Sequence, residues 1–600
     1  VKSEKFMPIN MTFTNTSKIY NRLFKKLKTL RSLWFAIGLS LTFLVACGTI
    51  KIDSFETASK SIQNDFLPKI RIEQALVSDA AAARYSTDSI KEPLPKIEDF
   101  PLYGAQPTND PKQIYVEIYS SAEKANAQKQ DERWLVDVAE AFNAKNVTAK
   151  SGQVIRVGIR NIASGLGERI IASKTIKPAA YTPSSDLWIE ILKSDGFTPN
   201  TIAAVLQPNG TGFAVRNDTY QELAKGGEVT FERLLDAITT GKISIGYPNP
   251  YSSSTALNLL YTILWRAAGH DRDQQSLTVQ DLKVPQVSSV FDAFQKQVIV
   301  TSVTTLELKD IFIRDQQKMQ AFPLDGVAFS SLKKLPGFEQ VAYVPFGLPH
   351  NAPLVGFDWN TPEQQEALQK FAEFATSEPM QKLALTTPEI LEHLKRKDLP
   401  INTSGEVLKT ALTFWKQRKD GGRTVYMMLV IDTSGSMTGA RMQAVKEGLR
   451  IATKEINAGN QVGLITFSDR VKNVVSLSPF DALQHKRLLA AIDALEADGN
   501  TALYDGAIAG LAPLMERRKA DPTGLFRLLL LTDGEVTTGL KFEEVKDLMK
   551  FSDVRMYPIA YGEVNQKELS AIAALRESTV QVGTPQNVQN LLKEIFQTNL

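Results

Sequence analysis

Apolar and polar positions follow different patterns in different parts of this chain. The clearest pattern occupies the last third, where continuously apolar runs (TVYMMLVID, QVGLITFSD, FRLLLLTDG, VRMYPIAYG) are separated by segments with apolar residues at helical spacing, such as RMQAVKEGLRIATKEI and ALYDGAIAGLAPLMERR. Strands without polar alternation, set between amphipathic helices, predict a mainly parallel sheet covered on both faces. The segment from about 421 to 600 is therefore expected to be one doubly wound α/β domain. Upstream, QIYVEIYSS, ERWLVDVAEAFNAKN and QVIRVGIRNIA read as strand, helix and strand. KISIGYPNPYSSSTALNLLYTIL reads as strand, Pro/Asn turn and helix, and Thr361, Pro362 and Gln364 carry a capping-box pattern with proline in the first turn. About 300 residues of α/β pattern, 113 to 420 with a connecting helix at the end, exceed what one small core holds and predict two lobes.

Between Thr49 and Pro111 neither period is sustained, and prolines recur in EPLPKIEDFPLYGAQPTNDP. The expectation is a polar tether over 47–112, with an ordered arm packed on the next domain as the alternative. Before it, RLFKKLKTLR precedes a mainly apolar stretch of 14 residues, Leu33 to Ala46, a length short for a membrane-spanning helix and suited to the core of an export signal.

Composition narrows the function. The 69 basic and 66 acidic residues leave a net charge of +3, which gives no field for nucleic acid. A single cysteine, Cys47, excludes an internal disulfide and sits where the apolar stretch ends. Leu44, Val45, Ala46 and Cys47 match the lipobox of bacterial lipoprotein signal peptides. That resemblance implies removal of 1–46 and lipidation of Cys47, hence an extracytoplasmic, membrane-anchored lipoprotein, facing the periplasm or the cell surface. More than one acyl chain is needed for a stable hold on a bilayer.

The apolar run VYMMLVID ends on Asp432 and passes into Ser434 and Ser436. Ligands of doubly wound sheets bind outside the carboxyl ends of the strands, and a second acid, Asp533, occupies the same position after FRLLLLT. Hard oxygen donors without His or Cys suit Mg²⁺, with Ca²⁺ or Mn²⁺ as further options. DTSGS with a later threonine and a later aspartate resembles the von Willebrand factor A domain and its metal-ion-dependent adhesion site. By that resemblance Asp432, Ser434, Ser436, Thr501 and Asp533 surround a divalent cation, leaving one position for an acidic side chain of a protein partner. Asp505, one turn after Thr501, reads as an exposed helix acid with support of the site as the alternative, Glu535 is open in the same way, and Met427, Met428 and Met437 read as packing residues.

The order of elements in 113–420 resembles the two-lobed bacterial extracellular solute-binding proteins. The patterns that carry it are the strand ending in Ser120 and Ser121, the segment YTPSSDLW with Ser184 and Ser185, and the turn with Ser252, Ser253, Ser254 and Thr255. It implies a small solute held between the lobes by hydroxyls at helix N-termini, where free N–H groups and the helix dipole favour polar or anionic groups. Capping alone also accounts for Ser252 to Thr255.

No enzyme is expected. The histidines His270, His350, His393 and His485 accompany no nucleophile or HExxH pattern, GxxxxGK[ST] is missing, and GLGER lacks the final glycine of a dinucleotide fingerprint. Two functions follow from the sequence: a cation-dependent binding protein that engages a protein partner, or a solute-capture component in which the C-terminal domain serves assembly.

Overall fold

The computed structural model describes residues 51–87, 94–384, 400–562, 566–576 and 578–600. The apolar stretch at 33–46 and Cys47 lie outside them. The architecture is mixed α/β, as expected, with three sheets.

The first sheet has six strands in the order Leu102–Gly104, Val154–Asn161, Gln113–Ser120, Ala180–Thr182, Leu354–Gly356 and Asn200–Ala203. The second has five, in the order Ala342–Pro345, Thr211–Val215, Ala321–Asp325, Ile245–Pro248 and Val298–Ser302. The chain leaves the first sheet after Asn200–Ala203 and returns to it at Leu354–Gly356, so two connections join two lobes. Parallel pairing of Gln113–Ser120 with Val154–Asn161 across helix Trp134–Ala144 is the βαβ opening read from the sequence. The capping box also forms: Thr361 Oγ1 accepts from the Gln364 amide, with proline in the first turn of helix Pro362–Ala375.

Helix Gly405–Arg418 lies against both lobes. Its Val407, Leu408, Phe414 and Trp415 join one buried cluster with Leu166 and Trp188 of the first lobe and Phe213 and Leu257 of the second. Lys409 pairs with Asp195 at 2.8 Å and Arg418 with Asp292 at 2.7 Å. Gly405 is required by close approach, since a Cβ there would fall 2.1 Å from the Glu190 carbonyl oxygen.

The third sheet runs Ile72–Gln74, Val471–Pro479, Gln461–Phe467, Val425–Asp432, Leu525–Thr532, Arg555–Tyr561 and Gln581–Gly583. All its pairings are parallel except the hairpin between Gln461–Phe467 and Val471–Pro479. Val425–Asp432 is central and buried throughout. Met428 and Val430 face one core with Ala507 and Leu511 of helix Leu503–Ala520. Met427, Leu429 and Ile431 face another with Leu449 of helix Ala440–Ala452 and Leu592 of helix Val588–Asn599. Period-two alternation places each strand residue on one face or the other, which is why both sets are apolar.

Two findings depart from the expectations. The polar segment after Thr49 is not a free tether over its described length. Strand Ile72–Gln74 is added to the edge of the third sheet, and helix Phe55–Ser61 packs on its domain, with Ala58, Ile62 and Ile70 in the core. Downstream, Asp79 pairs with Arg487 and the Tyr85 hydroxyl donates to Asp493 at 2.8 Å. Apolar positions that are few but spaced on one side suffice when a sheet edge is available to complete them. In the same sheet, the short edge strand Gln581–Gly583, with no apolar run behind it, is another element absent from the sequence reading.

Candidate functional site

The rim at the carboxyl end of Val425–Asp432 is built from three loops joined by backbone hydrogen bonds. After Asp432 the chain makes a short turn, Gly435–Met437, and enters helix Ala440–Ala452 through Gly439, whose φ of +76° suits glycine. The Gly435 amide donates to the Gly499 carbonyl at 2.9 Å and the Asp498 amide to the Thr433 carbonyl at 2.8 Å. The Thr537 amide donates to the Thr501 carbonyl at 3.1 Å, and Thr537 Oγ1 accepts from the Thr501 amide at 2.8 Å.

Those ties bring together the five side chains singled out in the sequence. Ser434 and Ser436 hydroxyls lie 3.0 Å apart, and Ser436 donates to Asp533 Oδ1 at 2.6 Å. Asp432 accepts from the Ser434 amide at 2.8 Å and, on its other oxygen, from the Thr532 hydroxyl. A Cβ at Gly534 would lie 3.2 Å from Thr501 Oγ1 and 3.5 Å from Ser436 Oγ, so the two hydroxyls flank one point. Asp432, Ser434, Thr501 and Asp533 are buried, whereas Ser436 is exposed: the rim has a buried floor and an open mouth. Burial holds the Asp432 carboxyl above its usual range, against hydrogen bonds from Thr532 and Ser434 that lower it.

Two carboxylates and three hydroxyls in this arrangement are a hard-oxygen donor set that fits a divalent cation. Among the described residues, no cluster of three or more His, Cys, Asp or Glu side chains is placed to hold a metal ion, and at the rim hydroxyls would have to supply the remaining donors. Sequence reasoning missed Thr532 and Arg441. Arg441 Nη1 donates to Asp533 Oδ2 at 2.5 Å and to the Ser436 carbonyl at 3.3 Å. Thr532 stands directly before Asp533 and could have been read from its place at the strand end; Arg441, five residues past Ser436, carried no signal. Asp505 is half-buried rather than exposed, because its carboxylate accepts from the Leu540 amide at 2.8 Å. Glu535 is exposed.

The hydroxyls between the lobes are differently disposed. Ser121 Oγ accepts from Lys124 Nζ at 2.6 Å and from Ser184 Oγ at 2.9 Å. Burial depresses the Lys124 ammonium to about 8, against the neighbouring Glu123 and Asp325 charges. Ser120 lies buried beside them, and Ser185 accepts from the Leu187 amide at 3.3 Å. Ser253 caps helix Ser254–Ala267 by accepting from the Ala256 amide at 3.2 Å. Ser254 accepts from Trp188 Nε1 across the lobe boundary at 2.9 Å, and Ser252 donates to Glu594 of the C-terminal helix at 3.3 Å. Ser252 to Thr255, with Ser164, Thr304, Thr305, Glu123 and Asp325, line a cavity of about 70 Å³. A wider groove of about 490 Å³, walled by Asp131 and Trp134 of one lobe and Ser331 and Lys334 of the other, lies elsewhere between them.

Residues 427–597 match the von Willebrand factor type A domain. An uncharacterized protein of Synechocystis sp. is 26% identical over 199 residues, 32% of this chain and 46% of that protein. The chain thus spans less than half the length of that curated relative. Among solved structures, a periplasmic thiamin binding protein is similar over 53% of this chain and 99% of its own, at 12% identity and a TM-score of 0.38. A von Willebrand factor type A protein from Catenulispora acidiphila is similar over 29% of this chain and 42% of its own, at 21% identity and a TM-score of 0.26. Among the described residues, no helix is long and apolar enough to cross a membrane.

Proposed function

We propose that this chain is an extracytoplasmic binding protein, anchored through a lipidated Cys47, whose A domain engages a protein partner through a divalent cation. Mg²⁺ is the first choice of ion, with Ca²⁺ and Mn²⁺ as alternatives. The observation that carries the reading is the convergence of Asp432, Ser434, Ser436, Thr501 and Asp533 on one rim with a buried floor and an open mouth. The two carboxylates only neutralise a divalent ion, so the ion retains attraction for an acidic side chain offered by a partner. No step of bond making or breaking is assigned to the rim.

Calorimetric titration of Mg²⁺, Ca²⁺ and Mn²⁺ into the protein and into Asp432→Ala tests this. Binding by the parent protein with a loss of 100-fold or more in the variant is expected, because a directly coordinating charge is removed. Equal binding by a natively folded Asp432→Ala protein would place the ion elsewhere.

A second reading, solute capture with the A domain serving assembly, is favoured by the 490 Å³ groove walled by both lobes. It predicts uptake that depends on groove residues and persists when Asp432 is replaced.

A further inference from the structure

The geometry of the rim assigns a role to Arg441 that follows from the two oxygens of Asp533. This inference rests on the rim being a divalent-cation site. The Asp533 side chain is fully shielded from solvent, whereas that of Arg441 is 42% exposed. Oδ1 of Asp533 turns inward to Ser436, among the candidate donors, and Oδ2 turns outward to the Arg441 guanidinium. Arg441 occupies the first turn of helix Ala440–Ala452, where the helix dipole disfavours a cation. Its position is fixed nonetheless, by Asp533, by the Ser436 carbonyl and by the Tyr561 hydroxyl, which donates to the Arg441 carbonyl at 3.2 Å.

We propose that Arg441 is a resident counter-ion of the site, holding Asp533 in orientation, weakening cation affinity, and leaving the loaded rim with a net positive charge. The charge count is simple. Asp432 and Asp533 balance a divalent ion, so a rim of those three groups is neutral once loaded. Arg441 adds one positive charge at the mouth, on the side where Ser436 is exposed. The same charge has two opposite consequences. It repels the incoming metal ion, and it attracts the acidic group that would complete the ion's coordination, offering it planar N–H donors beside the metal.

Arg441→Gln removes the charge and keeps a hydrogen-bond donor, while Arg441→Lys keeps the charge. Affinities for Mg²⁺ and Mn²⁺ alone, measured by calorimetry on the whole protein, should rise roughly tenfold in Arg441→Gln and stay within about threefold of the parent in Arg441→Lys, for a unit charge acting at a partly exposed site. Melting temperature supplies a readout independent of any partner. Arg441→Gln should melt lower than the parent in EDTA, because Asp533 loses its counter-ion, and should gain more on adding Mg²⁺. Arg441→Met, which also lacks the charge, replaces the glutamine variant if that one does not fold. Unchanged or weaker ion binding in the neutral variants, with the parent binding normally, overturns the role of Arg441 and leaves the cation site standing. Absence of ion binding by the natively folded parent overturns both.

Discussion

The A-domain rim and the cleft between the lobes are built from the same kinds of residue at the same kinds of position. Both gather serines and threonines where strands end and helices begin, and both include carboxylates. The difference is where the lone pairs are directed. At the rim, Ser436 and Thr501 flank one point, Ser434 lies 3.0 Å from Ser436, and the group opens to solvent through Ser436. In the cleft the hydroxyls are committed to the chain itself: Ser254 to Trp188, Ser121 to Lys124 and Ser184, Ser253 to its helix, Ser252 to Glu594. A helix N-terminus rich in hydroxyls can therefore serve a ligand or close two lobes on each other, and the direction of each oxygen decides which of the two it is free to do.

The largest expected contrast between the two regions is their response to pH. Burial, together with a hydrogen bond from Glu168 to Asp195 and the charge of that neighbour, raises the Glu168 carboxyl to about 8. Glu168 lies on helix Ser164–Ala172, which lines the cleft, and Asp195 also pairs with Lys409 of the connecting helix. With the folded value above the unfolded one, the stabilisation is fully present below the unfolded pKa and is lost as pH rises through about 8. Melting followed from pH 5 to 9 should show a fall of a few kcal/mol over this range, roughly 3 after allowance for relaxation, and Glu168→Gln should flatten it. The rim responds in the opposite sense, since protons compete with a metal ion for Asp432, so ion affinity should rise with pH. A pH-independent melting profile would show Glu168 ionised and the cleft looser than described.

Next in size is the contact that seals the cleft. A Cβ at Gly165 would fall 1.9 Å from the Tyr251 carbonyl oxygen and 2.6 Å from the Trp188 ring, so backbone from one lobe meets backbone from the other. Gly165→Ala is expected to cost about 2–3 kcal/mol in denaturant unfolding through overpacking. A cost under about 0.5 kcal/mol would mean that the lobes separate easily and that the closed arrangement is one of several.

The sequence made the central sheet legible because its strands are long and uniformly apolar, and the rim legible because its donors fall at fixed offsets from two strand ends. Asp432 and Asp533 need only the register of Val425–Asp432 with Leu525–Thr532 to share an edge. Arg441 was invisible for the converse reason: its relation to Asp533 depends on how a loop turns through Gly439, which no periodicity encodes. The arm at 55–74 was illegible because its few apolar residues acquire meaning only beside the edge strand Val471–Pro479. The cleft stood between these cases. Its serines were found, but Trp188 and Glu594, which bond to Ser254 and Ser252, come from distant segments whose docking the local pattern could not show.

The smallest effect is the one that separates the two regions most directly. Ser254→Ala removes the acceptor of the buried Trp188 indole N–H and should cost about 1–2 kcal/mol in unfolding free energy, the usual penalty for orphaning a buried donor. Ser436→Ala removes an exposed hydroxyl whose partners keep other hydrogen bonds: Asp533 retains Arg441, and the buried Ser434 hydroxyl keeps the Asp432 carboxylate. Its cost without metal should stay within about 0.5 kcal/mol. In the presence of Mg²⁺ the order reverses. Ser436→Ala should lose the ligand-induced gain in stability, and Ser254→Ala should keep it, because stabilisation by an ion follows from binding to the folded state alone. If Ser254→Ala proved neutral, the Trp188 contact would be dispensable and the hydroxyl free to serve a solute, and the distinction between a ligand-facing rim and a chain-facing cleft would fail at the residue where it is drawn most sharply.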